Sequence, residues 1–208
     1  MASIAVVGGG PAGSACAALL ARDHDVTVFE EHSRIGVPAQ CAGLVSDAAI
    51  RLSGTSPSIL STIFGAEAVF PDGRVVEVRS KKPKARTVDR TEFDSLIADR
   101  AVACGAEYRM QDRVRSISVS EDVRIDAASG ISHADLAIGA DGPSSVVSAS
   151  IGRNEPSECI RGIQADVRME MDRQDVFRIR IGGKYAPGFF SWEIPCGDFT
   201  RVGLCTSW

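Results

Sequence analysis

The stretch Ile4-Ala-Val-Val-Gly8-Gly9-Gly10-Pro11-Ala12-Gly13 decides how this chain is read: a short apolar run feeds into a glycine turn and then into the Ala-rich segment Ser14 to Ala21. Strand, turn and helix in that order build a phosphate site. Gly8 permits the tight turn, Gly10 lets backbone approach a diphosphate, and Gly13 brings helix and strand together, so that unpaired helix N–H groups face the anion. A second strand pattern, Asp25 to Phe29, ends at Glu30, close to the spacing of a carboxylate that binds ribose hydroxyls. The pattern predicts dinucleotide binding; a glycine-rich turn of purely structural meaning is the alternative.

With 208 residues, 44% of them hydrophobic, the chain can close a full core as one large domain or two small ones. The uncharged run from residue 4 to 21 is not read as a membrane span or leader, because Gly8 to Pro11 would break a helix and Met1-Ala2-Ser3 carries no positive charge. A net charge of −4 excludes a general nucleic-acid binder. The richest basic run, Arg79 to Arg86 with Lys81, Lys82 and Lys84, is interrupted by Pro83. It reads as a solvated loop, or as a steering surface for an anionic substrate or lipid surface. Six cysteines show neither a C-x-x-C pair nor zinc spacing, so reduced thiols in a cytoplasmic protein and no metal site are expected. His24, His32 and His133 share no spacing that suggests a metal or a triad and receive no role.

Further along, Phe93, Leu96, Ile97 and Ala101 recur at helical spacing, which predicts a helix over Arg90 to Cys104 with Thr91 as N-cap and Gly105 as stop. Arg113 to Val119 and Val123 to Ala127 alternate as antiparallel strands leading into a buried strand, Ala134 to Ile138. Ala66 to Phe70 and Arg74 to Val78 flank the hairpin signal Pro71-Asp72-Gly73. Ile163, Ala165, Val167, Met169 and Met171 alternate with polar residues, as do Phe177, Ile179 and Ile181, which predicts half-buried antiparallel strands. The expected fold is α/β: a discontinuous Rossmann-like nucleotide-binding domain, residues 1–60 and 87–157, interleaved with an antiparallel β-sheet substrate domain, residues 61–86 and 158–208.

A second motif bears on the cofactor. Gly139-Ala140-Asp141-Gly142-Pro143-Ser144-Ser145-Val146-Val147 resembles the G-A-D-G-x-x-S-x-V fingerprint of flavin enzymes related to aromatic hydroxylases, in which the Asp-Gly turn lies on the FAD pyrophosphate side. The resemblance implies FAD; the plain alternative is an Asp-Gly turn that caps the next helix. Two segments narrow it further: Ile35 to Ser46 around Pro38, Cys41 and Gly43, and Tyr185 to Gly197 with Phe190, Trp192 and Pro195, followed by Arg201 to Leu204. Both resemble the geranylgeranyl reductase family, and the likeness runs from Ile4 to Leu204. It implies an FAD-dependent reductase of isoprenoid double bonds in lipids or lipid precursors, with an electron donor that is nicotinamide, ferredoxin or deazaflavin.

Carried over position by position, the resemblance sets Ala12 and Gly13 at the diphosphate and Glu30 at the adenosine ribose. It sets Cys41, Ala42, Gly43 and Leu44 on the isoalloxazine side, and Arg90 and Val114 against the cofactor. For Arg90 and Val114 a surface charge and a core residue are the alternatives. Phe190 and Trp192 would wall an apolar substrate cavity, with ordinary sheet packing as the alternative. Cys41 is the candidate catalytic residue, a thiol able to supply the proton that accompanies hydride addition to an alkene, with inert packing as its alternative. The chain departs from the family in reading Cys41-Ala42-Gly43-Leu44 where Cys-Gly-x-Gly is frequent. A later Gly-Asp motif is also missing, since Gly197-Asp198 reads as a hairpin turn, and the family's members are about twice as long. A fragment or a naturally short member is therefore expected. An FAD monooxygenase and a catalytically silent FAD-binding module are the rival readings. An isoprenoid lipid as partner, peripheral membrane contact and self-association through uncovered strand edges complete the expectations.

Overall fold

The computed structural model describes residues 1–153 and 158–207. In chain order the elements are β1 (Ser3–Val7), α1 (Pro11–Leu20), β2 (Asp25–Phe29), β3 (Leu44–Val45), α2 (Asp47–Ser53), β4 (Ile59–Ile63), β5 (Gly65–Val69), β6 (Val75–Arg79), β7 (Ala85–Val88) and α3 (Arg90–Ala103). There follow β8 (Glu107–Arg109), β9 (Val114–Val119), β10 (Val123–Ala127), β11 (Gly130–Ala134), β12 (Leu136–Gly139), α4 (Val146–Ser150), β13 (Arg161–Val167), β14 (Val176–Ile181), β15 (Phe190–Pro195) and β16 (Thr200–Thr206). The backbone divides into two compact units, residues 1–39, 53–56 and 91–157, and residues 40–52, 57–90 and 158–208.

The first unit is built on a parallel sheet of order β12-β1-β2-β8. From Ile4 to Val7 β1 is apolar, because both of its faces are covered there. Ile4 and Val6 pack with Val26, Val28, Ala17, Ala18 and Ala101, the helix side, whereas Ala5 and Val7 pack with Phe29, Val114, Ile117 and Ile125, the side of a three-stranded β11-β10-β9 sheet. Alanine at 17, 18 and 101 lets the helices lie close to the strands.

In this unit the structure differs from expectation at three places. The expected single strand from Ala134 to Ile138 is two: β11 pairs antiparallel with β10, and β12 pairs parallel with β1. Asp135 is the joint, its N–H donating to the Ser3 carbonyl and its carboxylate accepting from the Ser3 N–H and hydroxyl. Thr91 is not a cap but lies inside the first turn of α3, which begins at Arg90. α1 starts at Pro11, three residues before the expected Ser14, because proline at the first helical position costs no hydrogen bond.

The second unit holds a six-stranded sheet, β13-β16-β15-β14-β5-β6, and a small β3-β7-β4 sheet. The large sheet is antiparallel except for one parallel pairing, β14 with β5. The small sheet draws residues 40–52, 57–60 and 87–90 into this unit, where composition had set them with the nucleotide-binding domain. Buried Thr87 donates its hydroxyl toward the Ser61 and Pro195 carbonyls, locking the two sheets together. The alternation read through Met171 ends at Val167, and Ile163 is 72% exposed rather than half-buried, because β13 is a sheet edge. The expected boundary between 157 and 158 adjoins residues 154–157, and these, with Trp208, lie outside the described residues.

The large sheet is two-faced. One row of side chains reads Gln164, Gly203, Trp192, Ile179, Ala68, Val76; a row on the other face reads Glu193, Arg178, Glu67, Glu77. On the charged face Arg178 bridges Glu67 at 2.8 Å and Glu193 at 3.1 Å, and Arg180 reaches Glu193 at 2.8 Å.

Candidate functional site: the nucleotide cradle and the Cys41 segment

The glycine turn of the first unit is set by sterics. Gly8 has φ of +101°, and a Cβ there would lie 2.3 Å from the Ala140 carbonyl oxygen; a Cβ on Gly13 would lie 2.0 Å from the Gly8 oxygen. Gly10 differs, since a Cβ there would meet nothing within 4 Å. It is the N-cap of α1, provides no side-chain cap, and the first bond back to it comes from the Ser14 N–H at 2.9 Å. The amides of Ala12, which is exposed, and Gly13 thus precede the helix's own bonding, as in a helix N-terminal anion site. Because β12 lies beside β1, the Ala140 N–H bonds to the Val7 carbonyl at 2.8 Å, and both glycine motifs meet at the carboxyl ends of adjacent parallel strands. Open α/β sheets bind ligands at that edge.

Glu30 is buried at the end of β2 with its two carboxylate oxygens held separately. Oε2 accepts from the Gly9 N–H at 2.8 Å; Oε1 accepts from the His32 N–H at 2.9 Å and faces His32 Nδ1 at 2.6 Å. The carboxylate is therefore tied to the glycine turn, and His32, to which the sequence assigned no role, is its immediate neighbour. Two further residues escaped the sequence reading. Ser14 is fully buried and donates its hydroxyl to the Gly9 carbonyl, while the Tyr108 hydroxyl donates to Ser14 at 2.8 Å. Burial pushes the Tyr108 phenol above its ordinary pKa, against the opposing effect of its bond to Ser14, so it stays a neutral donor.

In the second motif the Asp-Gly turn also caps the helix that follows. Asp141 Oδ1 accepts from the Ser145 hydroxyl at 2.6 Å and Oδ2 from the Val147 N–H, while Ser145 caps α4 through the Ser148 N–H. Gly142 sits at φ +77° with open space where a Cβ would be. Val114 is 5% exposed and its side chain belongs to the core between β1 and β9. Arg90 opens α3.

In the second unit, Cys41 is exposed and its segment crosses the apolar face of the large sheet at the β13–β16 side. Gln164 Nε2 donates to the Cys41 carbonyl at 3.3 Å, Arg201 Nη1 donates to the Ala42 carbonyl at 3.1 Å, and the Val88 N–H donates to the Gly43 carbonyl at 2.9 Å. Leu44 then enters β3 opposite Thr87. Arg201 is buried and holds Asp166 with Nε at 2.8 Å and Nη2 at 3.0 Å; that bond keeps its guanidinium above even the usual arginine pKa. Phe190 and Trp192 lie on the same face, with ring centroids 6.4 Å apart in an edge arrangement, and Ile181 and Ile179 stand opposite them on β14. The Trp192 Nε1–H is buried without a hydrogen-bond partner among the described residues. No group of His, Cys, Asp or Glu among the described residues could hold a metal ion, and no helix among them is long and apolar enough to cross a membrane.

Fold and cradle define a Rossmann-type nucleotide-binding unit joined in sequence to a mainly antiparallel sheet unit. Residues 6–60 match the family described as NAD(P)-binding Rossmann-like domain. The chain is 28% identical over 97% of its length to a digeranylgeranylglycerophospholipid reductase of Methanocella arvoryzae and 30% identical over 97% to one of Methanopyrus kandleri. It covers 55% and 54% of those two proteins, so it spans about half the length of the curated relatives it matches. Among solved structures, a geranylgeranyl bacteriochlorophyll reductase-like protein of Thermoplasma acidophilum shares the fold with a TM-score of 0.87 at 22% identity, over 99% of this chain and 56% of that one. A halogenase crystallised with phloroglucinol and FAD follows with a TM-score of 0.74 at 16% identity, over 97% and 51%. The resemblance to the geranylgeranyl reductase family read from the sequence is borne out along nearly the whole chain.

Proposed function

We propose that this chain is an FAD-dependent oxidoreductase of the geranylgeranyl reductase type, acting on isoprenoid double bonds of lipids or lipid precursors. The observation that carries the reading is the cradle: two glycine motifs at the ends of β1 and β12, an uncapped α1 N-terminus open at Gly10, and a buried Glu30 carboxylate bonded to the same turn. These residues fit an adenine dinucleotide. The Ala12 and Gly13 amides would hold its diphosphate, and Glu30 would accept from ribose hydroxyls.

Reduced FAD, when bound, supplies hydride. Alkene reduction needs a proton as well, and Cys41 is the candidate to hold it at Sγ, on a segment whose backbone Gln164 and Arg201 keep in place. Phe190 and Trp192, backed by Ile179 and Ile181, would exclude water from an isoprenoid chain. The Cys41 segment and the Trp192–Pro195 strand favour a reductase over a monooxygenase, which would instead consume oxygen with an aromatic substrate.

Titration with FAD, followed by the visible flavin band, tests the cofactor. Tight binding is expected in the wild type and loss in Gly10→Val, whose side chain projects into open space and so spares the fold. Unaltered FAD affinity in that variant would sink the cofactor assignment. Single-turnover reduction of a geranylgeranyl lipid by dithionite-reduced enzyme then tests Cys41→Ser, expected to be slower on the order of 10²-fold with FAD retained. A wild-type rate would return Cys41 to packing.

A further inference from the structure

The last strand of the large sheet, β6, leaves three valines in solvent: Val75 is 57%, Val76 50% and Val78 69% exposed. Edge strands are normally blunted by charge, yet here the apolar residues stand on both faces. The charge follows immediately after the strand. Residues 70–86 carry six cations against two acids, a net +4 in a chain whose total is −4. The acids on this surface are engaged by arginines: Asp72 by Arg74, Glu77 by Arg173, Asp175 by Arg79, and Asp47 by Arg86. Lys81, Lys82 and Lys84 are exposed and have no ion pair among the described residues. The segment carrying them is held in shape, because the Ser80 N–H bonds to the Phe64 carbonyl and the Lys84 N–H to the Ile63 carbonyl. Beside it opens a slot of about 450 Å³ lined by Ile63, Phe64, Ala66, Val78 and Phe177, with Arg79 and Lys84 among its walls.

We propose that β6 and the Arg79–Arg86 segment form a docking surface for an anionic lipid bilayer. Exposed valines, a slot with apolar walls and three unpaired lysines on one continuous surface match the two components of a membrane interface, acyl boundary and headgroup phosphate. Nucleic acid would use the lysines alone, and a second copy of the chain would use the strand edge alone. The surface β13 presents at the other edge has apolar residues too, but Asp166 within it and Arg168 and Glu170 just after it mix both signs. The inference does not rest on the flavin reading, although a bilayer surface is where a lipid substrate would be met.

Flotation with phosphatidylcholine vesicles, with and without phosphatidylglycerol, tests it on the full chain. Binding is expected only to the anionic vesicles and should weaken as salt is raised. Replacing Lys81, Lys82 and Lys84 together by Gln should lower partitioning on the order of 10²-fold; replacing Val75, Val76 and Val78 by Ser should lower it roughly tenfold. These side chains are exposed, and an unchanged circular dichroism spectrum identifies folded variants. Absence of binding to anionic vesicles, or wild-type binding by both variants, overturns the proposal. Lysine-dependent binding to duplex DNA tighter than to vesicles reassigns the surface to nucleic acid, and valine-dependent dimerisation without vesicle binding reassigns it to a second copy. Docking retained by Gly10→Val separates this surface from the nucleotide cradle.

Discussion

The glycine cradle of the first unit and the Cys41 segment of the second are both backbone sites held by opposite means. In the cradle, packed backbone leaves no room for a side chain, the Ala140 carbonyl at Gly8 and the Gly8 carbonyl at Gly13, and the path follows from what is excluded. In the Cys41 segment, carbonyls are caught by Gln164 and Arg201, which lie 123 and 159 residues further along the chain. A site held by exclusion is rigid and unforgiving of added atoms. A site held by long-range donors tolerates substitution within itself but depends on distant side chains.

The sharpest way to break this contrast is to add one carbon to each kind of glycine. Gly13→Ala places its Cβ 2.0 Å from the Gly8 oxygen, so strand and helix must part; a loss of about 3 kcal/mol or more in urea unfolding is expected. Gly10→Ala should change stability by only about half a kcal/mol, since its Cβ meets nothing. Equal losses in the two variants would mean that the cradle is not held by exclusion.

The distant donors are tested next. Arg201→Ala leaves Asp166 and the Ala42 carbonyl without their shared donor and should cost about 2 kcal/mol. Its more telling consequence is faster amide hydrogen exchange over residues 40–44 and at Val88, with the first unit's amides unaffected. Arg201→Lys should restore only part, because an ammonium cannot fork to two acceptors in one plane. Unchanged exchange over 40–44 would show that the segment is shaped locally after all.

The same contrast explains what the sequence disclosed. Strand, glycine turn and helix were legible because each depends on residues next to one another: Gly8 needs positive φ, Pro11 suits a first helical turn, and Ile4 to Val7 needs two covered faces. The hairpin at Pro71-Asp72-Gly73 and the turn at Gly197 were legible for the same reason. The partner switch at Asp135 was not, since nothing local distinguishes one buried strand from two short ones with different partners; only Ser3 does. The small sheet escaped because β3 is two residues long and its partner β7 begins within the run read as a basic loop. At the candidate site, Glu30 was visible from its spacing, whereas His32, Ser14 and Tyr108 have no pattern of their own. An acid with a His two residues later is the one local signal that could have found the Glu30–His32 pair.

That pair supplies a smaller test, tied to the proposed cofactor. Glu30→Ala should weaken FAD binding by about 1–3 kcal/mol, the cost of leaving ribose hydroxyls without a charged acceptor. His32→Leu removes only the ring beside Oε1 and should cost about 1 kcal/mol, with His32→Asn recovering much of it by presenting an amide donor at a similar reach. In a Glu30→Ala background His32→Leu should add nothing. Additive losses would place His32 outside the hold on the carboxylate.

The smallest expected effect comes from a third kind of hold inside the first unit. Asp135 is kept below the ordinary carboxylate pKa first by the Ser3 N–H, then by the Ser3 hydroxyl, and in smaller part by the charged amino terminus. A carboxylate whose folded pKa is depressed adds stability above its unfolded value of about 3.9, and that stability disappears as pH falls through the lower folded value. Asp135→Asn keeps an acceptor oxygen for Ser3 while removing the charge. The variant should therefore be less stable than wild type at neutral pH and converge with it in acid, as read from urea midpoints on either side of pH 4. Both Ser3 bonds are solvent-exposed, so the gap should be small and should shrink as salt is added. The Gly13→Ala penalty, being steric, should stay constant across the same pH range. A pH-independent Asp135→Asn gap would mean that Ser3 needs only the shape of the acceptor, and the joint between β11 and β12 would then belong with the cradle, held by fit rather than by charge.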